Sequence, residues 1–169
     1  MDKRLMAIVL IVFAMLMGDA AAQKMKYRVT TTVDKHADFS KLKTYTWQAG
    51  WDSYDPAMNR YIEAAVEHEL MALGFTKAPP GASDVTVTYA TLRRTDTDFK
   101  AKATREGILP TYAVGTLVVL IRDCRTHADL YRARTDTPIN LAPETIEATV
   151  NNQVAELFAD YPTRHEHEK

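Results

Sequence analysis

A chain of 169 residues, 46% apolar and 25% charged, holds enough material for one domain with a real core, in ordinary globular proportions. Its formal net charge of −1 supplies no global field for nucleic acid. The single cysteine, Cys124, excludes an intramolecular disulfide and any multi-cysteine zinc site.

The N-terminus has the form of a targeting segment. Lys3 and Arg4 precede an apolar run from Leu5 to Met17, which is too short for an ordinary membrane span. Ala20-x-Ala22 then fits a cleavage site before Gln23. Residues 1–22 are therefore expected to be a signal peptide, the alternative being an N-terminal membrane anchor that is never cut, with 23–162 a single domain and 163–169 a polar tail. No cysteine stands near the cut to accept lipid. The expected product is exported to the periplasm and keeps no stable membrane span once cleaved.

Met25 to Val33 alternates like a half-buried strand. Thr44 to Trp47 is a second short strand. Asp55 is placed as an N-cap and Pro56 at the first helical position. Met58, Ile62, Ala65, Val66, Leu70 and Leu73 then form one apolar stripe. Gly74 sits where a left-handed C-terminal cap is wanted, and Phe75 can fold back on the last turn. Lys77 to Ser83 reads as a loop around Pro79-Pro80-Gly81. A third strand runs from Asp84 to Arg94, and Thr95 to Thr111 reads as a long polar connection. Val114 to Asp123 and Ala128 to Arg134 form the central hairpin, with Gly115 marking a bulge or a close approach. Pairing Ile121 with Tyr131 and Val119 with Ala133 puts Leu117, Val119, Ile121 and Tyr131 on the core face. Val118, Leu120, Arg122, Leu130, Arg132 and Arg134 then take the other face. A last helix follows Pro143, with Ile146, Val150, Val154, Leu157, Phe158 and Tyr161 as its stripe, and Pro162 stops it.

The order β-β-α-β-β-β-α implies an α+β two-layer sandwich. An antiparallel sheet of about four to five strands carries both helices on one face and leaves the other to solvent or a partner.

Several phrases in this order are shared with a known family. They are Asp38-Phe39-Ser40, Lys43-Thr44-Tyr45 with Trp47, Leu73-Gly74-Phe75, Asp84-x-x-Val87-x-Tyr89, Gly115-Thr116-Leu117-Val118-Val119, and Asp123 followed by Tyr131-Arg132. Together they resemble the domain-of-unknown-function family 4136 of bacterial envelope proteins, over nearly the whole chain after the leader. The resemblance implies an exported, often lipoprotein-like domain with no established activity. This chain lacks the lipid-accepting cysteine many such proteins carry, and it has Tyr131 where the family tends to have tryptophan.

Recognisable catalytic spacing is absent. Cys124 stands between Asp123 and Arg125 in a turn, an ordinary place for an incidental cysteine. His68 has Ala72, not histidine, four residues on, so the zinc-protease pattern fails. His165 and His167 alternate with glutamates in the tail, which is no preformed metal site. Ser40, Ser53 and Ser83 lie in no nucleophile-elbow motif. No cofactor and no metal are implied. The feature that stands out is Arg28, Arg94, Arg122, Arg132 and Arg134, whose strand parity gathers them on the open sheet face. Arginine binds carboxylate and phosphate through its planar fork. The expected function is a non-catalytic binding or assembly-accessory domain of the cell envelope. Its expected partner is an anionic envelope component or an envelope protein. The alternative is a small exported hydrolase with its site in the 95–111 loop.

Overall fold

A computed structural model describes residues 28–138 and 143–164. The expected signal peptide, the start of the first strand and the tail histidines lie outside the described residues. Eight elements follow in chain order: β1 (Arg28–Val33), β2 (Thr44–Trp47), α1 (Pro56–Ala72), β3 (Thr76–Lys77), β4 (Val85–Thr97), β5 (Thr111–Asp123), β6 (Asp129–Pro138) and α2 (Ile146–Leu157). The strands make one six-stranded sheet in the order β1-β6-β5-β4-β2-β3.

The fold is α+β with both helices on one sheet face, as expected, but the sheet is larger and mixed. Pairs β1–β6, β6–β5 and β5–β4 are antiparallel, whereas β4–β2 and β2–β3 are parallel. The parallel edge arises because α1 carries the chain back across the sheet between β2 and β3, so the return strands run in the same direction. Thr76 and Lys77 are both exposed and leave no alternation, which is why β3 has no signature in the sequence.

α1 begins as its cap predicts: the Asp55 carboxylate accepts from the Ala57 N–H at 2.8 Å, and Pro56 opens the first turn. It ends at Gly74, whose φ of +82° is the left-handed conformation that costs other residues most. Phe75 N–H returns to the Leu70 carbonyl, and the Phe75 ring packs edge-on to Tyr161. Tyr161, Tyr131 and Phe158 are fully buried where α2 ends on the sheet, with Tyr131 stacked on Phe158 and edge-on to Tyr161.

The hairpin register is the one expected: Ile121 faces Tyr131 and Val119 faces Ala133. Gly115 pairs regularly with Thr137, and the irregularity falls instead between Ile121 and Arg122. There Asp129 pairs with Arg122 and Leu130 is left over, so Leu130 joins the core rather than the open face expected for it. The predicted 95–111 connection also shrinks. β4 and β5 each run 13 residues and pair from Val85–Asp123 out to Thr97–Thr111, leaving a loop of 98–110.

The phrases that carry the family resemblance hold this frame together. One oxygen of Asp84 accepts from the N–H groups of Lys43 and Thr44 and from the Thr44 hydroxyl, each at 2.9 Å, and so ties the start of β2 to β4. Asp123 accepts from Arg125 N–H at 2.9 Å and Thr126 N–H at 2.7 Å and shapes the β5–β6 turn. Both carboxyls are held below their ordinary range, Asp84 chiefly by the Lys43 N–H and Asp123 chiefly by the Thr126 N–H.

Candidate functional site: a crevice under the sheet and an arginine face above it

Strands of 13 residues span roughly 43 Å at about 3.3 Å per residue, whereas α1 and α2, with 17 and 12 residues, reach only about 25 and 18 Å. The sheet therefore runs out from under both helices. At that end lies a crevice of about 340 Å³ between the helix N-termini, the 52–55 loop and the outgoing strands. Its apolar walls come from Met58 and Ile62 of α1, Leu117 of β5, and Ile146 and Val150 of α2. Thr137, Thr149, Gln153 and Arg93 add polar groups.

Gln153 is buried, yet its Nε2 finds no hydrogen-bond partner among the described residues. Thr135, on the same sheet face and wholly buried, has an equally unpartnered hydroxyl. Buried polar groups are normally paired; the hydroxyls of Thr88 and Tyr161, away from the crevice, likewise have no partner among the described residues, and Gln153 is the one of the four that lines it. Arg93 lies across from Gly115 on the helix-side face, is exposed, and makes none of the ion pairs found among the described residues. Of the acidic groups lining the crevice, Asp55 is engaged in capping α1 and Asp52 bears on the Tyr89 hydroxyl.

Sequence reasoning missed this site, although its signals were present. Thr149 and Gln153 fall on the inward stripe of α2, and Arg93 has the same strand parity as Val85, Val87 and Tyr89. Polar residues at core positions are the informative exceptions in an amphipathic pattern.

All five predicted arginines fall on the face away from the helices. Arg122, Arg132 and Arg134 pair with Thr86, Leu120 and Val118, Arg94 with Val114, and Arg28 with Asp136. They do not stand alone there. Asp129 takes Arg122 at 2.7 Å and Arg132 at 2.9 Å. Asp136 takes Arg94 at 3.3 Å and Arg134 at 3.2 Å, and Arg94 also holds Asp96 at 2.9 Å. Five guanidinium groups thus share the face with three carboxylates, and part of their charge is spent internally. Asp136 stays below its ordinary range: burial opposes this, but Thr116 and Arg134 outweigh it.

Elsewhere on the helix side, Glu67 accepts from the Trp47 indole at 2.8 Å and Lys77 at 2.6 Å. Burial first, then the Glu67 charge, pushes the Tyr45 hydroxyl up to about 12. Cys124 is half-buried, with its sulfur 3.2 Å from the Ser83 hydroxyl. The 98–110 loop is closed by its own bonds, Asp98 N–H to Pro110 at 2.8 Å and Thr104 N–H to Ile108 at 2.8 Å, and none of its residues lines the crevice. Among the described residues no acidic, histidine or cysteine cluster could hold a metal ion, and no helix is long and apolar enough to cross a membrane.

Residues 29–163 match the model of the family described as Domain of unknown function (DUF4136). No match was found among curated proteins. Of solved structures, a PDZ domain protein from Parabacteroides distasonis superposes with a TM-score of 0.55 at 14% identity, over 89% of this chain and 39% of that one. This chain thus spans well under half of that protein. The PelC dodecamer from Paraburkholderia phytofirmans superposes with a TM-score of 0.53 at 12% identity, over 79% of this chain and 96% of PelC. At such identities the likeness is one of fold.

Proposed function

The chain belongs to the family described as Domain of unknown function (DUF4136), and from that premise we propose that it is an exported, non-catalytic binding domain of the cell envelope whose ligand occupies the crevice. The leader-like pattern over residues 1–22 supports export. The observation that carries the binding reading is a crevice of about 340 Å³ with apolar walls and an unpartnered buried amide, Gln153. Apolar concavities with a few convergent polar groups are where small ligands are usually held. The test uses N-phenyl-1-naphthylamine, an uncharged fluorescent apolar probe. Its emission should rise on binding the wild-type protein and lose most of that rise in Val150→Trp, which fills the crevice from α2. Equal enhancement in wild type and variant would refute the reading.

A second reading is favoured by the five arginines on the opposite sheet face, which outnumber their carboxylates. That face would bind an anionic envelope component through guanidinium groups not fully satisfied within the protein. Binding to vesicles containing anionic phospholipid should then fall steeply with salt, since exposed charges are screened over about 8 Å at physiological ionic strength. Arg132→Gln with Arg134→Gln should weaken it, and vesicle binding unchanged in the double variant would remove this reading.

A further inference from the structure

We propose that the crevice takes a small monocarboxylic acid with an apolar body. This rests on the crevice being the binding site, and it names the class of ligand. Two donors that line the crevice lack acceptors among the described residues. Gln153 is 6% exposed, and its Nε2 is buried without a partner. Arg93 is exposed and makes no ion pair among the described residues, in contrast to the four arginines held by aspartates across the sheet. A carboxylate has two oxygens and about four lone-pair sites, enough to serve the Arg93 guanidinium and, once the Gln153 side chain turns out into the crevice, its amide as well. A cationic ligand would meet Arg93 as a like charge and leave the Gln153 amide without an acceptor, while the two carboxylates on the wall are already engaged, Asp55 by the Ala57 N–H and Asp52 by the Tyr89 hydroxyl. An uncharged alcohol could accept from both donors on one oxygen but would forgo the charge-assisted bond to the guanidinium.

The body of the ligand follows from the walls. Met58, Ile62, Leu117 and Val150 offer apolar contact, and a volume of about 340 Å³ admits a medium-chain acid. Inorganic anions and short acids such as acetate would satisfy the donors but leave these walls uncovered. Burial of the chain supplies the affinity, and the two donors select the head group.

The experiment displaces N-phenyl-1-naphthylamine from the purified protein with decanoate, decanol, decylamine and acetate, each below its aggregation concentration. Decanoate should displace the probe at roughly tenfold lower concentration than decanol, a difference of about 1.4 kcal/mol. Decylamine and acetate should be weaker still. Arg93→Gln and Gln153→Met should each narrow the gap between decanoate and decanol severalfold. If decanol matches decanoate at a crevice that Val150→Trp closes, the ligand class is wrong while the site stands. If Val150→Trp leaves probe binding intact, the site itself is wrong and this inference falls with it. Ile146→Trp, at a less buried position of the same wall, replaces Val150→Trp should that variant not fold.

Discussion

Gln153→Met replaces the orphan amide with an apolar side chain of similar length, and it should stabilise the protein. In the structure Gln153 faces the sheet from α2 amid Val150, Val154 and Leu157, its Nε2 sheltered and unpaired among the described residues. A buried donor left without a partner costs about 1–3 kcal/mol. Methionine removes that cost, adapts readily to an irregular space and has a good helix propensity. Part of that gain is offset by fitting the methionine thioether into the space shaped for the amide, so a gain of about 1 kcal/mol is expected. For a domain of this size that raises Tm by about 2–4 °C. Urea melts with a shared slope and a thermal scan would measure it. A loss of about 1 kcal/mol or more would refute the reasoning, because it would mean that the amide has a native partner. The same variant should weaken decanoate binding, so stability and ligand selection would move in opposite directions at one residue.

Three further outcomes are expected. Gly74→Val should destabilise by about 1–2 kcal/mol because it forces a β-branched residue to a φ of +82°, whereas Cys124→Ser should change the urea midpoint little. The depressed carboxyls of Asp84 and Asp123 contribute stability that is fully present above their ordinary value of 3.8 and is lost as pH falls through their lower folded values. The urea midpoint should therefore stay flat down to about pH 5, fall below about pH 4, and fall less steeply in Asp84→Asn. Intact-mass analysis of the exported protein should find Gln23 as the first residue, and a species that keeps Met1 would contradict the leader reading.

Much of the fold was legible because periodic burial writes itself into the chain. Asp55-Pro56, the Met58-to-Leu73 stripe and Gly74 announced α1, and the hairpin register followed from matching Ile121 with Tyr131. What failed to show had weak local signals. β3 is two exposed residues held by backbone bonds to β2, and one strand-prone residue, Thr76, beside a lysine is too short a signal to mark a strand. The outer arms of β4 and β5 read as a loop because Thr95 to Thr97 and Thr111 to Ala113 are covered by no helix, so no apolar alternation is required of them. Leu130 was misplaced because a bulge resets the alternation without a proline or glycine to mark it. Gly50 passed unnoticed for a similar reason. Its Cβ would come within 1.9 Å of the Tyr89 carbonyl, where the chain beyond β2 swings back to bridge Trp51 with Ala90. Such close approaches depend on neighbours distant in sequence.

The arginine set and the crevice residues differ in what their placement implies. Arg94, Arg122, Arg132 and Arg134 fell where parity put them, and there each meets an aspartate. Aspartates on that open face engage part of the arginine charge, as is common on a solvent-facing strand surface. Gln153 and Arg93 have no such explanation. An apolar residue at position 153 would serve the core better, and position 93 has core parity yet carries a charge. The phrases that carry the family resemblance do structural work: Asp84 joins β2 to β4, Asp123 forms a turn, Gly74 ends α1, and Phe39 and Phe75 pack on Tyr161. They fix a frame in which the sheet outruns its helices. Residues that break a local rule without gain to that frame are where function is to be sought, and Gln153 and Arg93 are the two such residues that meet at one crevice.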